Sequence, residues 1–343
     1  MNDKEFKEEI KDIKKLTDYI RKKYGEDTIV SAGRKLDVIS TGSISLDMAI
    51  GIGGLPRGRV CDFYGQYSAG KSMLASSVVA QCQKNGGICV YIDAENAFDE
   101  KFASILGVDL DPQKLIRVYP ETGERAFDIA EQYIKAGVDL VVIDSSAALI
   151  PQEFVERSME DSTLIGLQAR LISRGLQKLT PCLAKSNSLC LFIGQVRNGI
   201  GGNPYLHQDT EQPTGGLALG FYSSVRVKVS RKEAIKDGDK LLGHKIHCLV
   251  KKNKVAPPLK VADFNLIYNS GIDNSSEIFE AAIGLGIITK PEDGIKYFYG
   301  DKSWTGMPKL KSEFESNQDF RIEILTKVKE KMYGPVVESL ENC

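Results

Sequence analysis

The sequence predicts an α/β protein built on a mostly parallel central sheet, and three observations carry that prediction. Short runs of Val, Ile, Leu and Cys end in polar or glycine residues and alternate with stretches of helical periodicity. The runs are continuously apolar, which is the pattern of strands buried on both faces. One of them, at 59–64, leads directly into Gly65-Gln66-Tyr67-Ser68-Ala69-Gly70-Lys71-Ser72, and a helix-forming stretch follows from Met73.

The elements follow in order. Phe6, Ile10, Ile13, Leu16, Ile20 and Tyr24 recur at spacings of three or four, so 3–24 predicts an amphipathic helix ended near Gly25. Residues 1–34 therefore form an N-terminal helix and linker, packed on its own core or docked on another subunit; the pattern leaves both open. The run at 88–92 ends in Asp93-Ala94-Glu95, that at 140–143 in Asp144-Ser145-Ser146, and that at 189–193 in Gly194-Gln195. Ligands of open parallel sheets bind beyond the carboxyl ends of the strands. All four runs place functional side chains there. From 221 the texture changes: 221–229 and 245–250 alternate apolar and polar residues, which predicts an antiparallel extension with one solvated face. The segment 271–343 carries the single Trp304 and a last amphipathic helix near 319–332. It reads as a small α/β domain after a core of 35–270.

Composition narrows the function classes. The 343 residues are 42% hydrophobic and 27% charged, an ordinary globular balance. No apolar stretch approaches a membrane span and 1–15 lacks the apolar centre of a secretory signal, so a cytoplasmic location is expected. Seven cysteines without a C-x-x-C pair read as reduced buried thiols. His244, His247 and Cys248 lie in strand-like HKIHCLV, where a spacing of three puts the two histidines on opposite faces, against a metal site.

The chemistry concentrates at the strand ends. Residues Gly65 to Ser72 match G-x-x-x-x-G-K-[ST] throughout. Such glycines let backbone N–H groups curl around phosphates, with the dipole of the following helix behind them. Lys71 would reach the β- and γ-phosphates of ATP and the Ser72 hydroxyl would ligate Mg²⁺. Asp144 is the expected acidic member of the Mg²⁺ shell. Glu95 could orient and deprotonate the water that attacks the γ-phosphate, against the plainer reading of a surface Glu or helix cap. Gln195 opens a long Gly-rich loop, 196–213, and a polar side chain near the γ-phosphate at the root of such a loop reads as a nucleotide switch. A second loop, 152–165, follows Asp144.

At these residues the chain resembles the bacterial RecA recombinase family, over nearly its whole length. The resemblance rests on Ile39-Ser40-Thr41-Gly42-Ser43-Ile44-Ser45-Leu46-Asp47, GGLPRGR at 53–59, the phosphate loop, Ile92-Asp93-Ala94-Glu95 and Val142-Ile143-Asp144-Ser145. It continues through Gly194-Gln195-Val196-Arg197, Thr214-Gly215-Gly216, 221–226 and Lys252-Asn253-Lys254. It implies a RecA-type P-loop ATPase core that forms a homo-oligomeric helical filament on single-stranded DNA and exchanges strands with homologous double-stranded DNA. Glu95 is then the general base and Gln195 the sensor coupled to the DNA loop. Asp99, Phe102 and Tyr268 contact adenine. Lys252 and Lys254 reach the ATP of the adjacent subunit, although without the resemblance they read as a solvated basic strand end. The two loops are the DNA-binding loops, with Ser173, Arg197, Gly215 and Gly216 at phosphate contacts. Arg170 and Arg174 join them, or serve as intrahelical ion-pair partners. Mediator or repressor partners are not identified.

The resemblance leaves two relatives to separate, another RecA-core ATPase such as a hexameric helicase or branch-migration enzyme, and an ATP-gated filament that does not exchange strands. Gly220, Leu217 and Gln177 stand where the family usually has Lys, Asn and Arg. The family's strongly acidic tail is not matched at Glu341-Asn342-Cys343. The net charge of −1 hides a segment 271–343 that carries −4. Near-neutrality thus argues against a generally basic coat, and DNA affinity would come from loops and backbone amides.

Overall fold

The computed structural model describes residues 13–25, 28–29, 36–156, 166–198, 211–213, 217–290 and 294–333. The chain forms two compact units, Met1–Asp37 and Val38–Cys343. In the first, helix α1 (Ile13–Tyr24) buries no residue among those described, and Gly25 ends it in the left-handed region at φ +103. Residues 3–12 of the expected helix lie outside the described residues.

The second unit is organised by one large sheet. Its strands are β3 (Val60–Gly65), β4 (Cys89–Asp93), β5 (Leu115–Val118), β6 (Leu140–Asp144), β7 (Leu189–Asn198), β9 (Val225–Asp237), β10 (Lys240–Asn253), β11 (Val261–Ile267) and β12 (Gly271–Ile272). They lie in the order β12-β11-β10-β9-β3-β7-β6-β4-β5, and the short β8 (Glu211–Pro213) pairs with β7. From β9 to β5 every pairing is parallel; from β9 to β12 every pairing is antiparallel. The two textures read from the sequence are the two halves of this sheet, except that the strand expected over 221–229 begins only at Val225, residues 221–222 closing a short helix. Every residue of β3, β4 and β6 is buried, because helices cover both faces. In β10 the burial alternates, as one solvated face requires.

Alternation along each buried strand divides the core. Phe63, Cys89, Tyr91, Val142 and Ile193 pack with α3 (Lys71–Lys84) on one face. Val90, Ile92, Val141, Ile143 and Phe192 pack with α5 (Gly123–Ala136) and α7 (Leu167–Lys185) on the other. Helix α5 is capped by Thr122, whose side chain accepts from the Arg125 amide, and is closed by Gly137. It approaches α7 so closely that a Cβ on Gly175 would fall 2.4 Å from the Phe127 ring. Only glycine permits that spacing. The short α6 (Gln152–Glu156) stands between β6 and α7 and buries none of its residues.

A short pair, β1 (Val38–Ile39) with β2 (Leu55–Pro56), and helix α2 (Ile44–Ile50) precede the sheet. Asp47 of α2 is buried and accepts from the Thr41 amide and hydroxyl, each at 2.8 Å, and from the Ser40 hydroxyl at 2.5 Å. Burial pushes its carboxyl up to about 7 despite those donors. The last segment, α9 (Asn274–Gly284), β13 (Lys296–Tyr299), β14 (Lys302–Thr305), α10 (Met307–Ser316) and α11 (Gln318–Tyr333), builds an apolar cluster of its own around Phe279, Trp304, Phe314 and Phe320. Glu277 of α9 ties it to α2, accepting from the Ser43 hydroxyl at 2.6 Å, the Ser45 amide at 3.2 Å and the Ser45 hydroxyl.

Candidate active site

Three strand ends converge on the phosphate loop. Strand β3 delivers Gly65, where a Cβ would meet the Val229 carbonyl oxygen at 2.1 Å, so the loop must begin on glycine. Gly70, at φ +92, turns the chain into α3, and Lys71 and Ser72 are its first residues. The Lys71 ammonium donates to the Gln66 carbonyl at 2.7 Å, curled back into its own loop. Burial draws its pKa down, opposed by the Asp144 and Glu95 carboxylates.

Asp144 ends β6 and lies in register with Asp93 at the end of β4. Burial is the largest influence on its carboxyl and raises its pKa; hydrogen bonds from the Tyr91 and Ser72 hydroxyls oppose it. The Tyr91 hydroxyl reaches Asp144 Oδ2 at 2.7 Å. Glu95, two residues past β4, is held from two sides. Gln195 Nε2 donates to its Oε1 at 2.8 Å, and the Ser145 hydroxyl donates to the same oxygen. The expected base and the expected sensor are therefore in direct contact.

These groups line two adjoining cavities. One, of about 390 Å³, is bounded by Tyr67, Lys71, Ser72, Glu95, Asp144 and Gln195. The other, of about 360 Å³, adds Asp99, Phe102 and Tyr268 to Ser72, Glu95 and Asp144. Phe102 and Tyr268 can present aromatic faces to a base. Asp99 also caps a helix, since its Oδ1 accepts from the Phe102 amide at 2.9 Å and starts α4 (Glu100–Ile105). The Ser72 hydroxyl beside the Asp144 carboxylate is a pair of hard oxygen donors, which suits a cation such as Mg²⁺ that draws its other ligands from phosphates and water. Among the described residues no group of three or more His, Cys, Asp or Glu forms an all-protein metal cage.

Lys252 and Lys254 lie at the other end of the sheet. Lys252 pairs in register with Arg226, Arg226 with Asp62, and the Lys254 amide bonds to the Ser224 carbonyl. Lys254 is thus level with Val60 at the amino end of β3 and Lys252 with Asp62, roughly 17 and 10 Å along the strand from Gly65. Their ammonium groups cap α8 (Ala218–Tyr222): Lys252 donates to the Gly220 and Phe221 carbonyls at 2.6 and 2.9 Å, and Lys254 to Phe221 at 3.4 Å.

The other expected contacts lie on α7 and the loops. Arg170 and Arg174 sit one turn apart over a groove of about 310 Å³ beside Glu124 and Asp128 of α5. It is Lys178, one turn on, that pairs with Asp128 and Glu131, at 2.8 and 2.6 Å. The intrahelical pairing considered for the two arginines is not formed among the described residues. Ser173 is half-buried on the adjacent strip. The backbone of Arg197 continues β7; Gly215 and Gly216 lie outside the described residues, as do 157–165 and 199–210 of the two loops.

Sequence reasoning missed Tyr91, Ser145 and His244. The first two belong to runs quoted for their neighbours, and only the adjacency of β4 and β6 turns them toward the site. His244 Nδ1 is 2.7 Å from the Tyr268 hydroxyl, so it fixes an expected base-contacting ring, while His247 instead meets Asp263 at 2.8 Å.

Comparison with known proteins bears on the family and the fold. The family model of the RecA N-terminal domain matches residues 11–273. The chain is 45% identical to Protein RecA of Clostridioides difficile over 331 residues, 94% of this chain and 92% of that protein. It is 44% identical to Protein RecA of Chlorobaculum tepidum over 322 residues, 92% of this chain and 91% of that one. Among solved structures, a RadB recombinase matches with a TM-score of 0.51 and 22% identity, covering 68% of this chain and 98% of that one, a likeness of fold.

Proposed function

The chain belongs to the RecA family and is a RecA-type ATP-dependent recombinase, and on that premise we propose that it assembles head to tail on single-stranded DNA and completes each ATP site between two subunits. The observation that supports this reading is the separation of the cations. Lys71 is beside the phosphate loop, whereas Lys252 and Lys254 hang from β10 toward the amino end of β3, level with Asp62 and Val60. One chain cannot bring both ends of β3 to one phosphate. A neighbour in a head-to-tail, heterologous contact can, and such contacts propagate as helices when they do not close.

The residues divide the work as follows. Backbone N–H groups of 65–72 and Lys71 hold the phosphates; Asp99, Phe102 and Tyr268 hold the base. Ser72 and Asp144 would hold Mg²⁺, which when bound supplies positive charge against the phosphate oxygens. Glu95 orients the attacking water and takes its proton. In the resting geometry its Oε1 is taken by Gln195 and Ser145. A γ-phosphate that draws the Gln195 amide away leaves that oxygen with the Ser145 hydroxyl alone and pulls on the root of the 196–213 loop. Nucleotide and DNA would thereby act on one side chain. Lys252 and Lys254 of the next subunit add charge in the transition state, as an arginine finger does. Ser173, Arg170, Arg174, Arg197, Gly215 and Gly216 would follow the DNA backbone, and Watson–Crick pairing between strands would supply sequence recognition.

ATP hydrolysis with and without single-stranded DNA, followed by strand exchange with a homologous duplex, tests the proposal. Stimulated hydrolysis with exchange is expected. Hydrolysis by closed hexamers that unwind duplex, or filaments that never exchange, would refute it.

A further inference from the structure

Tyr91 is the one hydroxyl on β4 that reaches the catalytic cavity, and its surroundings are unusual for a core aromatic. The ring is 2% exposed on the α3 face of the sheet. Its edge meets the Phe98 ring, with centroids 4.7 Å apart and an interplanar angle of 64°. Phe98 lines the same cavity as Asp99 and Phe102. At its other end the Tyr91 hydroxyl donates to Asp144 Oδ2 at 2.7 Å across the β4–β6 pairing. A phenylalanine would fill the same volume. The hydroxyl therefore serves Asp144 and not the packing.

We propose that Tyr91 is a positioning residue for the divalent cation: by occupying Asp144 Oδ2 it fixes the carboxylate plane and leaves Oδ1 as the oxygen turned to the metal. The inference rests on the reading of Asp144 as a cation ligand. A carboxylate deep in the cavity needs a partner for each oxygen. Without Tyr91, Oδ2 is left to compete for the Ser72 hydroxyl or the Lys71 ammonium, and the carboxylate must turn to reach them. Lys71 is committed to the phosphates and Ser72 to the cation, so that turn weakens the metal site from two directions. Loss of an outer hydrogen bond to a metal ligand typically lowers affinity by about 10- to 100-fold.

The test uses full-length protein with Mn²⁺ as the probe, read by electron paramagnetic resonance with a non-hydrolysable ATP analogue. Tyr91→Phe should weaken Mn²⁺ binding by about 10-fold and leave metal-free nucleotide binding unchanged. In hydrolysis, the Mg²⁺ concentration for half-maximal rate should rise by a similar factor, with little change in kcat at saturating Mg²⁺. Unchanged Mn²⁺ affinity in Tyr91→Phe would overturn the inference. So would a parallel loss of metal-free nucleotide binding, since that marks a packing role only. Asp144→Asn separates the two readings: it should weaken Mn²⁺ binding more than Tyr91→Phe, and wild-type affinity in Asp144→Asn would instead refute Asp144 as the ligand.

Discussion

The two ends of the parallel sheet are built differently. At the carboxyl ends of β3, β4, β6 and β7, the functional side chains are bonded to one another: Tyr91 to Asp144, Ser145 and Gln195 to Glu95, Lys71 to its own loop. At the amino end of β3, Lys252 and Lys254 are bonded to the carbonyls of a five-residue helix. The first set is preorganised; the second is held on partners it can exchange. A mutually bonded cluster, buried at Tyr91, Asp144, Ser145 and Lys71 with Glu95 exposed at its rim, keeps its geometry without a ligand, whereas ammonium groups on flexible stems can leave carbonyls for a phosphate at small cost. The difference is what a catalytic site shared between copies requires. On the proposed reading, one chain supplies the rigid half and the neighbour supplies the cations.

Substitutions at the two ends should therefore fail in different ways. The largest effect is expected from Lys252→Ala with Lys254→Ala, which should lower DNA-stimulated turnover by about 10³-fold, by analogy with cations supplied in trans. ATP binding by the isolated chain should survive, as equilibrium dialysis would show. Glu95→Gln should reduce kcat by roughly 10²-fold or more at unchanged nucleotide affinity, the signature of a lost base. Rapid turnover by Glu95→Gln would remove it from that role and leave its contact with Gln195 as a structural one. Lys71→Ala should damage binding and turnover together, which separates the rigid half from the supplied cations.

The smallest expected effect concerns what supports the amino end. Asn253, between the two lysines, donates to the Ile50 carbonyl at the end of α2, and α2 is anchored by Asp47. The Asp47 carboxyl has an ordinary value of 3.8 and is raised to about 7 in the fold. The folded state thus holds this proton more tightly than the unfolded chain. Its contribution to stability is complete below about pH 4 and is lost as pH rises through about 7, by at most about 4 kcal/mol. The melting temperature of the wild type should fall relative to Asp47→Asn between pH 5 and 8. An equal pH dependence in both proteins would show that Asp47 is not the titrating group.

Much of this arrangement was legible in the sequence, for identifiable reasons. The phosphate loop is written in fixed glycines and a Lys-Ser pair because backbone curvature and charge leave few alternatives. Continuous apolar runs marked the parallel half of the sheet, and alternation marked the antiparallel half. Asp144, Glu95 and Gln195 could be read because each ends such a run. What could not be read depends on strand order. Asp93 and Asp144 are far apart in the chain, and only the β4–β6 pairing makes Tyr91 a neighbour of Asp144. The same holds for Lys252 and Lys254. The reading of them as functional residues came from resemblance, and nothing local in KKNK shows that they reach toward the amino end of β3, on the carbonyls of α8.

If each hydrolytic site is assembled from two chains, filaments mixed from two defective variants will regain turnover. Lys71→Ala subunits and Lys252→Ala, Lys254→Ala subunits should each be nearly inactive alone with single-stranded DNA. Mixed in equal amounts, they should recover about a quarter of wild-type turnover, since random order places an intact phosphate loop against intact lysines at about one contact in four. A mixture no more active than its parents, at ratios where both variants are shown to enter the same filament, would contradict the account.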